Sequence, residues 1–246
     1  MSHHLHHELR DLLAGQHDWL LMLLAQDDDL RTRIPFARLT DMRILEGLLL
    51  KFAASQPQAP RGAIVSLWSQ YYFASLCLPL AASVLVTGRM FMPLDGSGVV
   101  FDDQGKPAAI QLSIPKTPRN LPELSLYQAM NDHLIPMTAV LAQAGGISQR
   151  VIWGNACHYL EWLTNWLAED ERLSCEGARQ SRLFMDRDHL PDGRVNPLKG
   201  AIRYEGLDRL PELRRRKVCC LRYCIPGTAT CGGLCPKPDI RQRALA

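Results

Sequence analysis

The sequence predicts a mainly α (α+β) protein: a helical body with a small β-element and a short cysteine-rich C-terminal segment. Three observations carry that expectation. Apolar residues recur at spacings of three and four through most of the first ninety positions and again after residue 124, which is the period of an amphipathic helix. The period changes to two around residues 98–114. Finally, five of the eight cysteines fall between Cys219 and Cys235, close to the end of a 246-residue chain. The sequence divides accordingly into a helical body, residues 1–210, and a basic cysteine-rich segment, residues 211–246.

Taken in order, Leu5, Leu9, Leu12 and Leu13, then Leu20, Leu21 and Leu24, keep helical spacing. Residues 40–54 form a third periodic stretch, ended by "SQPQAPRG" at 55–62. Residues 66–90 are a strongly apolar helical segment. Pro79 inside it predicts a kink or a break, because proline lacks the N–H and crowds the preceding turn. Residues 99–101, a turn through 102–107, and residues 108–114 with Ile110, Leu112 and Ile114 alternating predict a hairpin or meander, closed by Pro115 and Pro118. Helix resumes over residues 124–144 with Pro136 inside it. After Gly145–Gly146, Ser148 caps a further helix running to about residue 170. Residues 171–210 read as loop-rich, with turn chemistry in "PDGRVNP", and residues 212–217 as a last short helical turn. There is no internal repeat and no low-complexity tract.

Composition bounds the function. Hydrophobic residues make up 47%, enough to bury a core, and the net charge is only +3. That charge is unevenly placed: residues 211–246 carry eight basic and two acidic side chains, so the segment is positive and the body before it slightly negative. The apolar run 19–25 ends in Asp27, Asp28 and Asp29 without a small-residue cleavage site, so no targeting signal is expected. The run 71–86 is interrupted by Pro79 and falls short of the roughly twenty residues a spanning helix needs. A cytoplasmic protein without a transmembrane segment is expected, with peripheral association with a membrane left open. In that reducing compartment clustered cysteines more often hold metal or do redox chemistry than form disulfides.

Several features are weighed against plainer uses. His3, His4, His6 and His7 resemble an adventitious chelator at a solvated terminus. Trp153, Tyr159, Trp162 and Trp166 share roughly one helix face; core packing is the commoner use of such a stripe, stacking on a ligand the sharper one. Asn155 and His158 are polar groups among these aromatics and so candidate pocket donors, and Gly154 is tolerated where another element or a ligand comes close. Cys77 and Cys157 lie in apolar surroundings and read as core residues; Cys175 is likewise isolated. No G-x-x-x-x-G-K-[ST], G-x-G-x-x-G or H-E-x-x-H occurs, so any redox role imports its electrons.

The segment "VCCLRYCIPGTATCGGLCP" (218–236) is the strongest signal. It presents Cys219-Cys220, ten intervening residues, Cys231, three more, and Cys235, with Cys224 in addition. Zinc knuckles use pairs two to four residues apart that grip one tetrahedral ion, and adjacent cysteines suit this poorly because their side chains diverge. A two-iron cluster has two metal centres a short distance apart and uses divergent thiolates more easily. Gly232 and Gly233 allow close backbone approach, and Pro236 ends the loop. Spacing favours an iron–sulfur cluster but leaves zinc and a disulfide open.

The tail resembles the terminal signature of the FhuF family of ferric-siderophore reductases, which place Cys-Cys, ten residues, Cys, two residues and Cys around a [2Fe-2S] cluster. Leu221, Tyr223, Pro226, Gly227, Gly232 and Pro236 fall where that family has C-C-L-x-Y and P-G before C-G-x-C-P. "SLWSQYYFASLCLPLA" (66–81), "WGN" (153–155) and "NPLKGAIRY" (196–204) resemble further family features. Two departures stand out: the last pair is separated by three residues instead of two, and Cys224 is extra.

The resemblance implies that Cys219, Cys220, Cys231 and Cys235 ligate a [2Fe-2S] cluster; Cys224, which has no counterpart in that pattern, reads either as a substitute for one of the four or as a neighbour of the site. It implies reduction of siderophore-bound Fe(III), hydroxamate type favoured, by one electron from a ferredoxin or a flavin/NAD(P)H reductase. Fe(II) suits hard oxygen donors less well and is released. Arg215, Arg216, Lys217 and Arg222 would raise the potential of the cluster and attract an anionic substrate or an acidic donor, with Trp153 and Asn155 lining the docking site. A rival reading is a ligand- or protein-binding module whose tail holds structural zinc. Nucleic acid is not expected as a partner: four consecutive basic residues are a short footprint, and no helix-turn-helix or RNA-binding motif occurs.

Overall fold

The computed structural model describes residues 11, 18–25, 29–87, 97–111, 126–128, 130–169, 175–206 and 213–240, apart from the side chains of 18, 77–87, 167 and 175–178. The N-terminal histidines, most of the first leucine-rich stretch and residues 112–114 of the expected meander lie outside them.

A 3₁₀ stretch at Asp18–Leu23 precedes β1 (Thr32–Pro35), one helical turn α1 (Phe36–Leu39), α2 (Met42–Ala53) and α3 (Arg61–Thr87). Then come β2 (Gly98–Phe101), β3 (Pro107–Gln111), and a π-helical turn at Met130–Leu134 that leads into α4 (Ile135–Gly145). After α5 (Gln149–Leu167), α6 (Cys175–Asp186), β4 (Ile202–Glu205) and β5 (Leu213–Arg216), two 3₁₀ turns, Arg222–Cys224 and Gly232–Leu234, shape the cysteine segment. The architecture is mainly helical with small antiparallel sheets, as the sequence predicts.

Local chemistry sets the helix ends. Asp41 caps α2 by accepting from the Arg43 N–H at 2.9 Å, and Ser148 caps α5 by accepting from the Arg150 N–H at 3.3 Å. Gly146, at φ 59°, closes α4 in the left-handed conformation that suits glycine. Pro136 sits in the first turn of α4, directly after the π-helical turn.

Four expectations need correction. α3 runs through Pro79 without a break and starts at Arg61, not near residue 66. β1 has no counterpart in the sequence reading; it pairs antiparallel with β2, which pairs with β3. The region read as loop-rich contains α6 and β4. Residues 213–216, read as a helical turn, are a strand paired antiparallel with β4, because pairing with a distant segment outweighs local propensity.

α3 is the central helix, with Trp68, Tyr72 and Phe73 fully buried. Trp68 stacks on Tyr72 and on Phe101 of β2, and its indole N–H donates to the Gly105 carbonyl at 2.9 Å. Gly105 is required there twice over: its φ is +74°, and a Cβ would lie 2.7 Å from the Leu48 carbonyl oxygen. The Tyr72 hydroxyl bonds His133, whose ring meets Phe36 edge-on at 4.6 Å. Burial holds His133 neutral, lowering its pKa to about 3. No helix among the described residues is long and apolar enough to cross a membrane.

Candidate metal centre in the C-terminal segment

The segment begins with Leu-Arg-Arg-Arg in β5. In a strand successive side chains point to opposite faces, so Arg214 and Arg216 share one face and Arg215 takes the other. Register with β4 (Tyr204↔Arg214, Arg203↔Arg215, Ile202↔Arg216) places the shared face on α5. Arg214 forms an ion pair with Glu161 and donates to the His158 carbonyl at 2.5 Å. Arg215 pairs with Glu205 and donates to the Gly233 carbonyl at 3.2 Å, tying β5 to the second 3₁₀ turn.

Arg216 is only 3% exposed. One of its terminal nitrogens donates to the Gly154 carbonyl (2.9 Å) and to Asn155 Oδ1 (2.7 Å). Asn155 Nδ2 in turn donates to the Ser66 carbonyl (3.1 Å) and to Ser69 Oγ (2.8 Å), and Ser66 Oγ donates to the Cys220 carbonyl at 2.7 Å. A fully buried polar seam thus runs from α3 through α5 to the cysteine doublet. It meets the requirement that buried polar groups find partners, and it fixes where the doublet lies.

Past β5 the backbone tightens. Leu221 adopts φ 61°, the only positive φ among the described non-glycine residues, a conformation that costs a branched side chain about 1–2 kcal/mol. It turns the Leu221 N–H onto Cys219 Sγ at 3.4 Å, and the Arg222 N–H onto the Cys220 sulfur. Gly232, at φ 54°, gives the second turn its left-handed entry after Cys231.

The thiols of Cys220 and Cys231 hydrogen-bond each other, and Cys219 and Cys235 lie within electrostatic reach of this pair. The pair loses its first proton readily and holds its second. Cys220 is pushed down by the Cys231 thiol and by the charges of Arg216 and Arg222, while Cys231 is pushed up by the same hydrogen bond and by burial. Burial also raises Cys219, against the Leu221 N–H. Cys220 and Cys235 are buried, and Cys219, Cys224 and Cys231 half-buried. Among the described residues no three His, Cys, Asp or Glu side chains converge as a ready-made ligand set for a metal ion.

The chemistry nevertheless suits a thiolate-bound, negatively charged group. Among the described residues the buried side-chain nitrogens without a hydrogen-bond partner are Arg216 Nε and Arg222 Nε. Both arginines act on the Cys220 sulfur. Each desolvated guanidinium N–H without an acceptor is stabilised by a nearby anion, and thiolates on a metal cluster supply negative charge.

The structure distributes the other candidates differently from one another. Lys217 is exposed and Arg222 half-buried, so both border the surface of the segment. Asn155 and Arg216 face inward in the seam, and Trp153 is 6% exposed in the core. A Cβ on Gly154 would meet nothing within 4 Å, so close approach does not explain that glycine; its carbonyl serves Arg216 instead. Trp162 and Trp166 stack at 5.6 Å, with Trp19 against both, and Trp162 is partly exposed. Cys157 is a core thiol as read, raised to about 12 by burial. Ser66, Ser69, Glu161 and Arg214 were missed. Polar residues three apart inside the apolar "SLWSQYY" were the available signal for the serines.

A family model described as "Ferric iron reductase FhuF-like transporter" matches residues 66–212, from α3 to just before β5. The cysteine segment lies beyond the matched residues. No curated protein matches the chain.

Proposed function

This chain belongs to the FhuF-like ferric iron reductase family, and from that premise we propose that it reduces siderophore-bound Fe(III) by one electron through a [2Fe-2S] cluster held on Cys219, Cys220, Cys231 and Cys235. The observation that supports this most is the set of thiols around the Cys220–Cys231 pair, together with two arginines, Arg216 and Arg222, that act on the Cys220 sulfur and whose buried Nε–H groups have no acceptor. In this reading residues 1–210 form the siderophore-docking body and residues 211–246 the cluster-binding segment. Cys224 stays outside the ligand set, because it packs against the hydrophobic core.

When bound, the cluster would supply a single electron, a step that needs no proton transfer. The chain's own residues do the rest. Leu221 and Arg222 aim backbone N–H groups at sulfur and so stabilise negative charge there. The Ser66–Asn155–Arg216 seam holds the doublet against α3 and α5. Lys217 and Arg222 border the surface of the segment and attract an anionic ferric-hydroxamate or the acidic face of an electron donor, an attraction that weakens as salt rises, whereas the charge of Arg215 is met by Glu205. Fe(III) held by hard oxygen donors becomes Fe(II) of lower charge, the siderophore's grip falls, and the iron leaves.

Cys219→Ser and Cys231→Ser test the reading. Each should abolish the visible absorption of anaerobically purified protein together with reduction of a ferric-hydroxamate, measured by trapping Fe(II) with a chelator. Retention of both by a variant with all four cysteines changed to serine would overturn it.

A further inference from the structure

We propose that Arg216 is a positioning residue that sets the reduction potential of the cluster, acting as its buried counter-charge. The inference rests on the reading of the cysteines given above. Arg216 is as buried as a core leucine and has no carboxylate partner among the described residues. Its terminal nitrogen is occupied by the neutral oxygens of Gly154 and Asn155, which orient the guanidinium without cancelling its charge. Its Nε–H has no acceptor, and its charge is felt at the sulfurs of both Cys220 and Cys231. A buried cation left in this state is costly unless an anion completes it.

Arg214, two residues earlier on the same face, has its charge met by Glu161. Lys217 is exposed, so water and salt screen it. Among the arginines of β5, Arg216 alone combines burial, an uncancelled charge and reach to the sulfurs. An electron arriving on the cluster adds one negative charge, and a desolvated cation nearby favours that reduced form. Asn155 on α5 keeps the guanidinium in place, so the helical body takes part in setting the potential of the tail.

The test is an anaerobic redox titration of the loaded full-length protein, followed by the reduced-state electron paramagnetic resonance signal, after iron and sulfide analysis of each sample. Arg216→Gln should lower the equilibrium constant for reduction about tenfold, which is about 59 mV for a one-electron couple. Arg216→Lys should stay close to the unmodified protein. Asn155→Asp, which sets a carboxylate against the untouched Arg216, should lower the potential as Arg216→Gln does. The decrease should persist from low to high salt, because the charge is buried. A fully loaded Arg216→Gln protein with an unchanged potential would overturn the proposal. Should that variant fail to assemble, Asn155→Asp decides by the same criterion. Unmodified protein without iron and sulfide would instead refute the reading of the cysteines, and this inference with it.

Discussion

Arg214 and Arg216 stand on the same face of β5 and both reach α5, yet they meet opposite surroundings. Arg214 finds the carboxylate of Glu161 and the carbonyl of His158, with its charge cancelled and its side chain still 17% exposed. Arg216, one pleat further on, finds only an amide oxygen and a backbone carbonyl, and is closed off from water. The first arrangement is a clamp between strand and helix. The second leaves a positive charge beside the Cys220–Cys231 pair. Two identical residues, two positions apart, thus serve fastening and electrostatics respectively, and the difference lies in what α5 offers them.

The clamp breaks first. Glu161→Ala leaves Arg214 desolvated without its anion, which should cost about 3 kcal/mol of stability, the lower part of the range for breaking a buried pair because both side chains keep some exposure. Chemical denaturation reads the loss directly. A cost below about 1 kcal/mol would place the pair with ordinary surface bridges and undo the contrast.

A smaller effect comes from His158, which lies near both arginines. Burial, then Arg216 and Arg214, lowers its pKa to about 2. In the unfolded chain the same ring takes up a proton near pH 6.5. Between those values the unfolded state binds more protons, so stability falls as pH drops below about 6.5, with a slope approaching about 1.4 kcal/mol per pH unit for this residue. His133, lowered to about 3 by burial, adds a slope of the same sign. His158→Gln keeps an acceptor for Arg214 and should flatten the pH dependence of unfolding between pH 6.5 and 5. An unchanged slope would mean that His158 is not held neutral by the arginines and the burial described here.

What was legible in the sequence was what neighbouring residues decide. Ser148 announced α5 because a cap is a local bond, and the cysteine spacing announced the segment because ligand spacing is written in the chain. β1 was invisible: "TRIP" has no apolar alternation, and it is a strand only because β2 pairs with it across more than sixty residues. β5 was misread for a related reason. Three consecutive arginines hide the period of two, so nothing local separates a helix end from a strand that buries its first and third arginines against α5. For the same reason Arg216 could not be told from Arg215 and Lys217, and Asn155 resembled a pocket donor rather than the anchor of a buried cation. Nothing local marks Glu161, because its partner Arg214 comes from a strand fifty-three residues away.

The account stands most directly on the metal content of anaerobically purified full-length protein, with acid-labile sulfide measured on the same sample. It predicts about two irons and two sulfides per chain, and a reduced-state paramagnetic signal that disappears as the visible colour returns when a ferric-hydroxamate is added. One tetrahedrally bound zinc per chain, with no sulfide and no colour, would contradict it.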